Sequence, residues 1–295
     1  MGRALSAAAN VTEPRPYDWT GTSGLPSVPV ITVSFAWEAL ILRARTLTWL
    51  RLNGSRGTDA TAHNVLATTT GQTPAGCVGP PRPLYVGTPM NGFFRCAGER
   101  GSGVALTLAL AARAPPRCAV GRAPQCHQLT FGFTAGHEMA DPGLVNGVLP
   151  WLQARGNVSG MPFVSIGANL GTFRAFEGAN FEGRGSGTTP VLVATSAGAS
   201  VLSAAFAGAL SPLPWVAAAA GGLNASSARG AARWPLQLGM EVVDLLGGFL
   251  YPAAGGFLRF HLPSDANESS VNLDSLAALT SAAGSALDTY LCSAA

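Results

Sequence analysis

A chain of 295 residues is long enough for one large domain or two small ones, and it can bury a substantial core. Hydrophobic residues make up 47% and charged residues 11%, so Ala, Gly, Ser and Thr must supply much of a weakly polar surface. All 18 basic residues are Arg, which excludes Lys Schiff-base or general-base chemistry, and the net charge of +3 is spread without a basic run, which argues against a nucleic-acid partner.

In chain order, residues 1–27 carry Pro, Gly, Ser and Thr without periodicity and read as a loose lead-in. They hold no apolar run of signal-peptide length, and Met1-Gly2 followed by Ser6 meets the myristoylation pattern only loosely. VPVITVS at 28–34 reads as a buried strand, AWEALILRA as a helix and LTWLRLN as a second β-like run, before a polar break at 54–62. From there strand-like and helix-like runs alternate. Strands are predicted at 63–67, 83–87, 129–134, 163–166, 191–195 and 257–260. Helices are predicted at 101–113, 142–154, 199–210 and 273–287. This alternation predicts a three-layer α/β/α sandwich with a central, mostly parallel mixed sheet. The uncharged stretch 191–210 has the length of a membrane span, but its many Ser and Ala residues fit a strand followed by a small-residue helix better.

Five cysteines occur, none in a CxxC pair, so a structural zinc knuckle is not expected. Cys118 and Cys126 flank a Pro/Arg/Gly loop and are candidates for a short disulfide hairpin. N-x-S/T sequons stand at Asn10, Asn53, Asn157, Asn224 and Asn267. If they are used, the protein is a glycoprotein of the secretory lumen or the extracellular space; in a chain this rich in Ser they also arise by chance.

In a sheet of this kind functional residues lie in loops beyond the strand carboxyl ends. Four such loops carry the candidates. They contain Thr88 to Gly92 with Glu99 at the next helix entry, His137-Glu138, Ala168 to Gly171, and His261 to Asp265. Glu and His are competent zinc ligands, and three with an open position make a catalytic site. Each also has a plainer reading. His261 before a Pro turn can end a strand, Glu99 can be a helix N-terminal carboxylate favoured by the macrodipole, and His63 and His127 beside apolar runs are structural. The Gly101-Ser102-Gly103 helix start lacks the Lys and spacing of a phosphate loop, and there is no G-x-S-x-G elbow for a serine nucleophile.

The order of these segments resembles the zinc aminopeptidase and glutaminyl cyclase family. Asn64-Val65-Leu66-Ala67 is similar to the family's Asn-Val-Ile-Ala strand, and Gly87-Thr88-Pro89-Met90-Asn91-Gly92 stands where the family has Gly-Ala-His-Tyr-Asp-Ser. Gly98-Glu99-Arg100-Gly101-Ser102-Gly103-Val104-Ala105 resembles Asn-Asp-Asn-Gly-Ser-Gly-Val-Ala. The family's Glu-Glu pair appears as His137-Glu138, and its closing His-Thr-Pro-x-Asp-Thr as His261-Leu262-Pro263-Ser264-Asp265-Ala266. Residues 63–295 are then the aminopeptidase-like domain, and 1–62 the lead-in and the tail of a protease-associated domain.

What the resemblance implies about chemistry is mixed. The family holds two zinc ions about a shared Asp. Here Pro89 replaces the first His, and the later Asp falls at Ala168 or Asn169, so one metal site lacks its ligands. Glu99, Glu138 and His261 are left as the implied ligands of one zinc ion at most, with His137 at the general-base position, while Asn91 has no His left to orient. The implied substrate is a peptide or small amide. Three readings follow: a one-metal zinc hydrolase acting on peptide N-termini, an inactive pseudo-peptidase used for binding or scaffolding, and a glutaminyl cyclase-like acyltransferase. Oligomeric state is not legible in the sequence.

Overall fold

The computed structural model describes residues 63–69, 81–92, 95–113, 126–137, 147–173, 187–196, 200–219, 222–226, 228, 230–248, 265 and 268–293, together with the backbone of 3–6 and 30–33. The chain divides into two compact units, Met1–Thr61 with Ala140–Leu144, and Ala62–Met139 with Val145–Ala295.

In the first unit β1 (Arg3–Ser6) pairs antiparallel with β2 (Val30–Val33). The second falls inside the predicted strand at 28–34. The first corrects the reading of residues 1–27 as a loose lead-in: four residues suffice for a strand when a partner supplies the ladder, and so short a run shows no periodicity. The predicted 36–44 helix and the β-like run after it lie outside the described residues.

The second unit is built on a seven-stranded sheet. Its strands are β3 (Val65–Thr68), β4 (Arg82–Pro89), β5 (His127–Thr134), β6 (Pro162–Ile166), β7 (Val191–Thr195), β8 (Val216–Ala219) and β9 (Glu241–Gly247). They lie in the order β3-β5-β4-β6-β9-β7-β8. The four central strands β5, β4, β6 and β9 run parallel, while β3 pairs antiparallel with β5 and β7 antiparallel with β9. Helices are α1 (Ser102–Arg113), α2 (Val148–Gln153), α3 (Val201–Leu210), α4 (Arg233–Gln237) and α5 (Leu273–Leu291). The 191–210 stretch is thus strand plus capped helix, and among the described residues no helix is long and apolar enough to cross a membrane.

Two apolar clusters cover the two faces of the sheet, as a doubly covered parallel sheet requires. On one face Leu84, Val86, Phe131, Val164, Val243 and Leu245 meet α1, α3 and α5 through Leu106, Phe206 and Leu279. On the other, Tyr85, Phe163 and Val242 meet α2 and the segment around α4 through Trp151, Leu152 and Ala232. Trp151 stacks edge-on against Tyr85 and lies over Gly132 of β5; a Cβ at Gly132 would sit 2.4 Å from the indole ring. Two outer layers therefore enclose the sheet, which makes three layers in all. The predicted helix at 142–154 is described only from 147 onward, and the predicted strand at 257–260 lies outside the described residues.

Candidate functional site

The helix entry before α1 is the best-defined part of the site. Residues Ala97–Gly101 form a π-turn that begins after Cys96, itself in a left-handed conformation at φ 38. A wide turn of this kind leaves backbone N–H groups unmatched at its start. Asp265 supplies the acceptors: its carboxylate receives the N–H groups of Gly98 at 2.6 Å and Glu99 at 2.9 Å, and its carbonyl receives that of Ala97 at 3.0 Å. Ser102 Oγ donates to the Gly98 carbonyl and accepts the N–H of Leu170, and a Cβ at Gly103 would meet the Gly167 carbonyl at 2.8 Å. The Gly-Ser-Gly start is thus a packing device that seats α1 on the carboxyl end of β6, with its serine oxygen already in use.

Within this entry Glu99 is completely buried, and Arg100 Nη2 lies 3.0 Å from its Oε1. A buried carboxylate without a counter-charge is prohibitive, and here the neighbouring guanidinium provides one. Asn169 stands beside this pair. Its N–H donates to the Glu99 carbonyl at 3.1 Å, its backbone is left-handed at φ 61, and its buried side-chain amide has no hydrogen-bond partner among the described residues. Pro89 ends β4 opposite Thr134 of β5 and has no donor atom in its side chain.

The structure gives Asn91 an occupation that the sequence does not suggest. Its Oδ1 accepts the backbone N–H of His137 at 3.0 Å and so ties the loop after β4 to the loop after β5. With no first His to orient, Asn91 serves as a tie between loops. The His137 ring lies near Gly230, where an added Cβ would be 3.7 Å from Cε1. Asn64 makes a similar tie, donating to the Gly147 carbonyl and accepting the N–H of Ala135. His127 Nδ1 lies 3.3 Å from the Arg82 carbonyl and its ring packs on Tyr290; burial holds its pKa below the usual range. Glu138 and His261, two of the three residues implied as zinc ligands, lie outside the described residues. So does Cys118, although Cys126 and Cys292 are each disulfide-bonded.

Sequence reasoning passed over Asp244. It sits at the centre of β9, 3% exposed, paired in register with Ser165 of β6 and Ala194 of β7. Burial pushes its carboxyl from an ordinary 3.8 up to about 7, with Ser165 opposing the shift. The available signal is a carboxylate inside the apolar run Glu241–Gly247. Because the folded state holds this proton more tightly, the group's contribution to stability is complete below about pH 4 and is lost as pH rises through about 7. The loss is at most about 4 kcal/mol. Urea midpoints should therefore fall between pH 5 and pH 8 in the wild type, and this component should vanish in Asp244→Asn.

Neither a protein-family profile nor a curated protein matches the chain. Among solved structures it is similar to an aminopeptidase from Aneurinibacillus sp. strain AM-1, at 15% identity over 77% of this chain and 47% of that one, with a TM-score of 0.52. It is also similar to a peptidase M28 precursor from Shewanella amazonensis SB2B, at 18% identity over 79% of this chain and 45% of that one, with a TM-score of 0.53. The chain thus spans less than half the length of either. At these identities the likeness reaches the fold and stops there: the chain has an α/β fold like that of these aminopeptidases, in a divergent sequence.

Proposed function

We propose that this domain is an aminopeptidase fold turned to binding, with polypeptide as its ligand class and no zinc-dependent turnover. The observation that supports this most directly is the buried Glu99–Arg100 ion pair. At the position where the resemblance places a carboxylate shared by two metal ions, the carboxylate already has a covalently tethered cation 3.0 Å away. A zinc ion there would have to displace or crowd a guanidinium in a site closed to water. The neighbouring positions point the same way. Pro89 offers no ligand atom and Asn169 only a neutral amide. Of the three implied ligands Glu99 is the one among the described residues, and a carboxylate held by a guanidinium does not fit zinc.

The competing reading is a one-zinc hydrolase or glutaminyl cyclase-like acyltransferase using Glu99, Glu138 and His261, with His137 as base. Metal content of the purified protein, measured after incubation with equimolar zinc and desalting, separates the two. Near-zero zinc is expected in wild type, Glu138→Ala and His261→Ala alike, with no release of product from aminoacyl amides. One zinc per chain in the wild type, lost in both variants, would establish the one-metal reading instead.

A further inference from the structure

Six asparagines lie among the described residues, and their environments divide cleanly. Asn64, Asn91 and Asn272 are half-buried, and Asn169 is fully buried. Three of these side chains are engaged in holding the fold: Asn64 and Asn91 as described above, and Asn272 by accepting the Ser275 N–H at the start of α5. The two exposed ones are Asn157 and Asn224. They are also the two that begin sequons, Asn157-Val158-Ser159 and Asn224-Ala225-Ser226.

Both sequons share one local hydrogen bond, and Asn224 also accepts from Ser226 Oγ at 2.5 Å and donates through Nδ2 to the Gly222 carbonyl at 3.3 Å. Asn157 Oδ1 accepts the Ser159 N–H at 3.1 Å, and Asn224 Oδ1 accepts the Ser226 N–H at 3.0 Å. Each is an Asx-turn, which bends the three residues into a loop and presents asparagine and serine together at the surface. Ser159 and Ser226 are both exposed, whereas Val158 between the first pair is anchored in the core beside Trp151. The turn is therefore rigidly based and outwardly accessible, which is what a modifying enzyme needs of a folded or folding acceptor. Two independent features suit the same compartment. Cys126 and Cys292 are disulfide-bonded, a state that persists where the surroundings are oxidising. The chain also has no Lys and only 11% charged residues, so its surface has little hydrophilicity of its own.

We propose that Asn157 and Asn224 are sites of N-linked glycosylation. The donor is a lipid-diphosphate-linked oligosaccharide and the agent a membrane-bound transferase. The asparagine Nδ2 attacks the anomeric carbon, forming the N–C bond as the C–O bond to the diphosphate breaks. The electron pair of that bond leaves with the lipid diphosphate, and Nδ2 gives up one proton to a base of the transferase. Nothing is oxidised or reduced. Both turns border the apolar cluster under α2 and α4, where Val158 and Leu223 pack. Glycans here screen that layer. They leave uncovered the opposite layer of α1, α3 and α5, on which Leu108, Val201 and Leu273 are exposed.

The test is to direct the full chain into the secretory pathway of a eukaryotic host and take the folded, soluble fraction. Glycan removal by an amidase in heavy-oxygen water converts each occupied Asn to labelled Asp, which peptide mass spectrometry then locates. Label at 157 and at 224 is expected. Asn157→Gln and Asn224→Gln should each remove one glycan step on an electrophoretic gel, and Ser159→Ala and Ser226→Ala should do the same while retaining the asparagine. Unlabelled Asn157 and Asn224 in folded wild-type protein overturn the proposal, even if Asn10, Asn53 or Asn267 is labelled, and label at one alone overturns the assignment of the other.

Discussion

Arg100→Met is expected to destabilise the domain by about 3–5 kcal/mol, because it strips the guanidinium from a carboxylate that water does not reach. For a domain of this size that is a fall in melting temperature of roughly 10 °C. Arg100 is itself buried, so Met replaces its stem at little steric cost and the lost charge dominates. The double variant Glu99→Gln, Arg100→Met removes both charges and should recover most of the loss, since replacing a buried ion pair by neutral side chains is often nearly neutral. Denaturant titrations of the two single variants and the double give the coupling directly. A loss below about 1 kcal/mol in Arg100→Met would place the pair in the class of solvent-screened ion pairs. It would also remove the main support for an inactive site.

On the other face of the sheet Trp151→Ala should cost about 3–5 kcal/mol, the usual penalty for emptying a large aromatic site in a core. The indole is 4% exposed and bridges Tyr85, Phe163 and the bare backbone of Gly132. Gly132→Ala should cost about 1–3 kcal/mol by forcing the ring off the strand. The two effects should not add. With the indole gone, the new methyl at 132 has room, so the double variant should be no less stable than Trp151→Ala alone. Additive losses would mean that Gly132 is needed for its backbone and not for the space above it.

The elements that were legible are those whose signal is local. VLVAT at 191–195 is a continuous apolar run and forms β7 with the same limits. The Gly-Ser-Gly opening and Ala/Leu-rich run at 101–113 form α1, and the long C-terminal helix is clear from its apolar spacing. β9 was missed although it lies inside the sheet, because Glu241 and Asp244 interrupt the run that a buried strand normally shows. β8 was missed because its short, Ala-rich run looks like small-residue filler.

The candidate site divides on the same principle. That Pro89 and Asn169 remove two ligands is legible residue by residue. For an inactive site the sequence offers Arg95 and Arg100 as partners of Glu99 but does not choose between them, because consecutive residues of an ordinary helix do not face each other. The π-turn changes that geometry, and its cap comes from Asp265, a residue 166 positions away from Glu99. No local pattern encodes such a contact.

That distance also bears on the order in which the domain is made. Synthesis proceeds from the amino terminus, so the turn at 97–101 and strands β4 to β9 are all made before Asp265 is added. The sheet can assemble as its strands appear, but the amide groups of Gly98 and Glu99 must wait for their carboxylate. A chain that stops between residues 248 and 264 keeps all seven described strands of the sheet and still leaves this turn without its acceptor. The turn is therefore closed only after the described strands are made, and its closure reports that translation has passed residue 265.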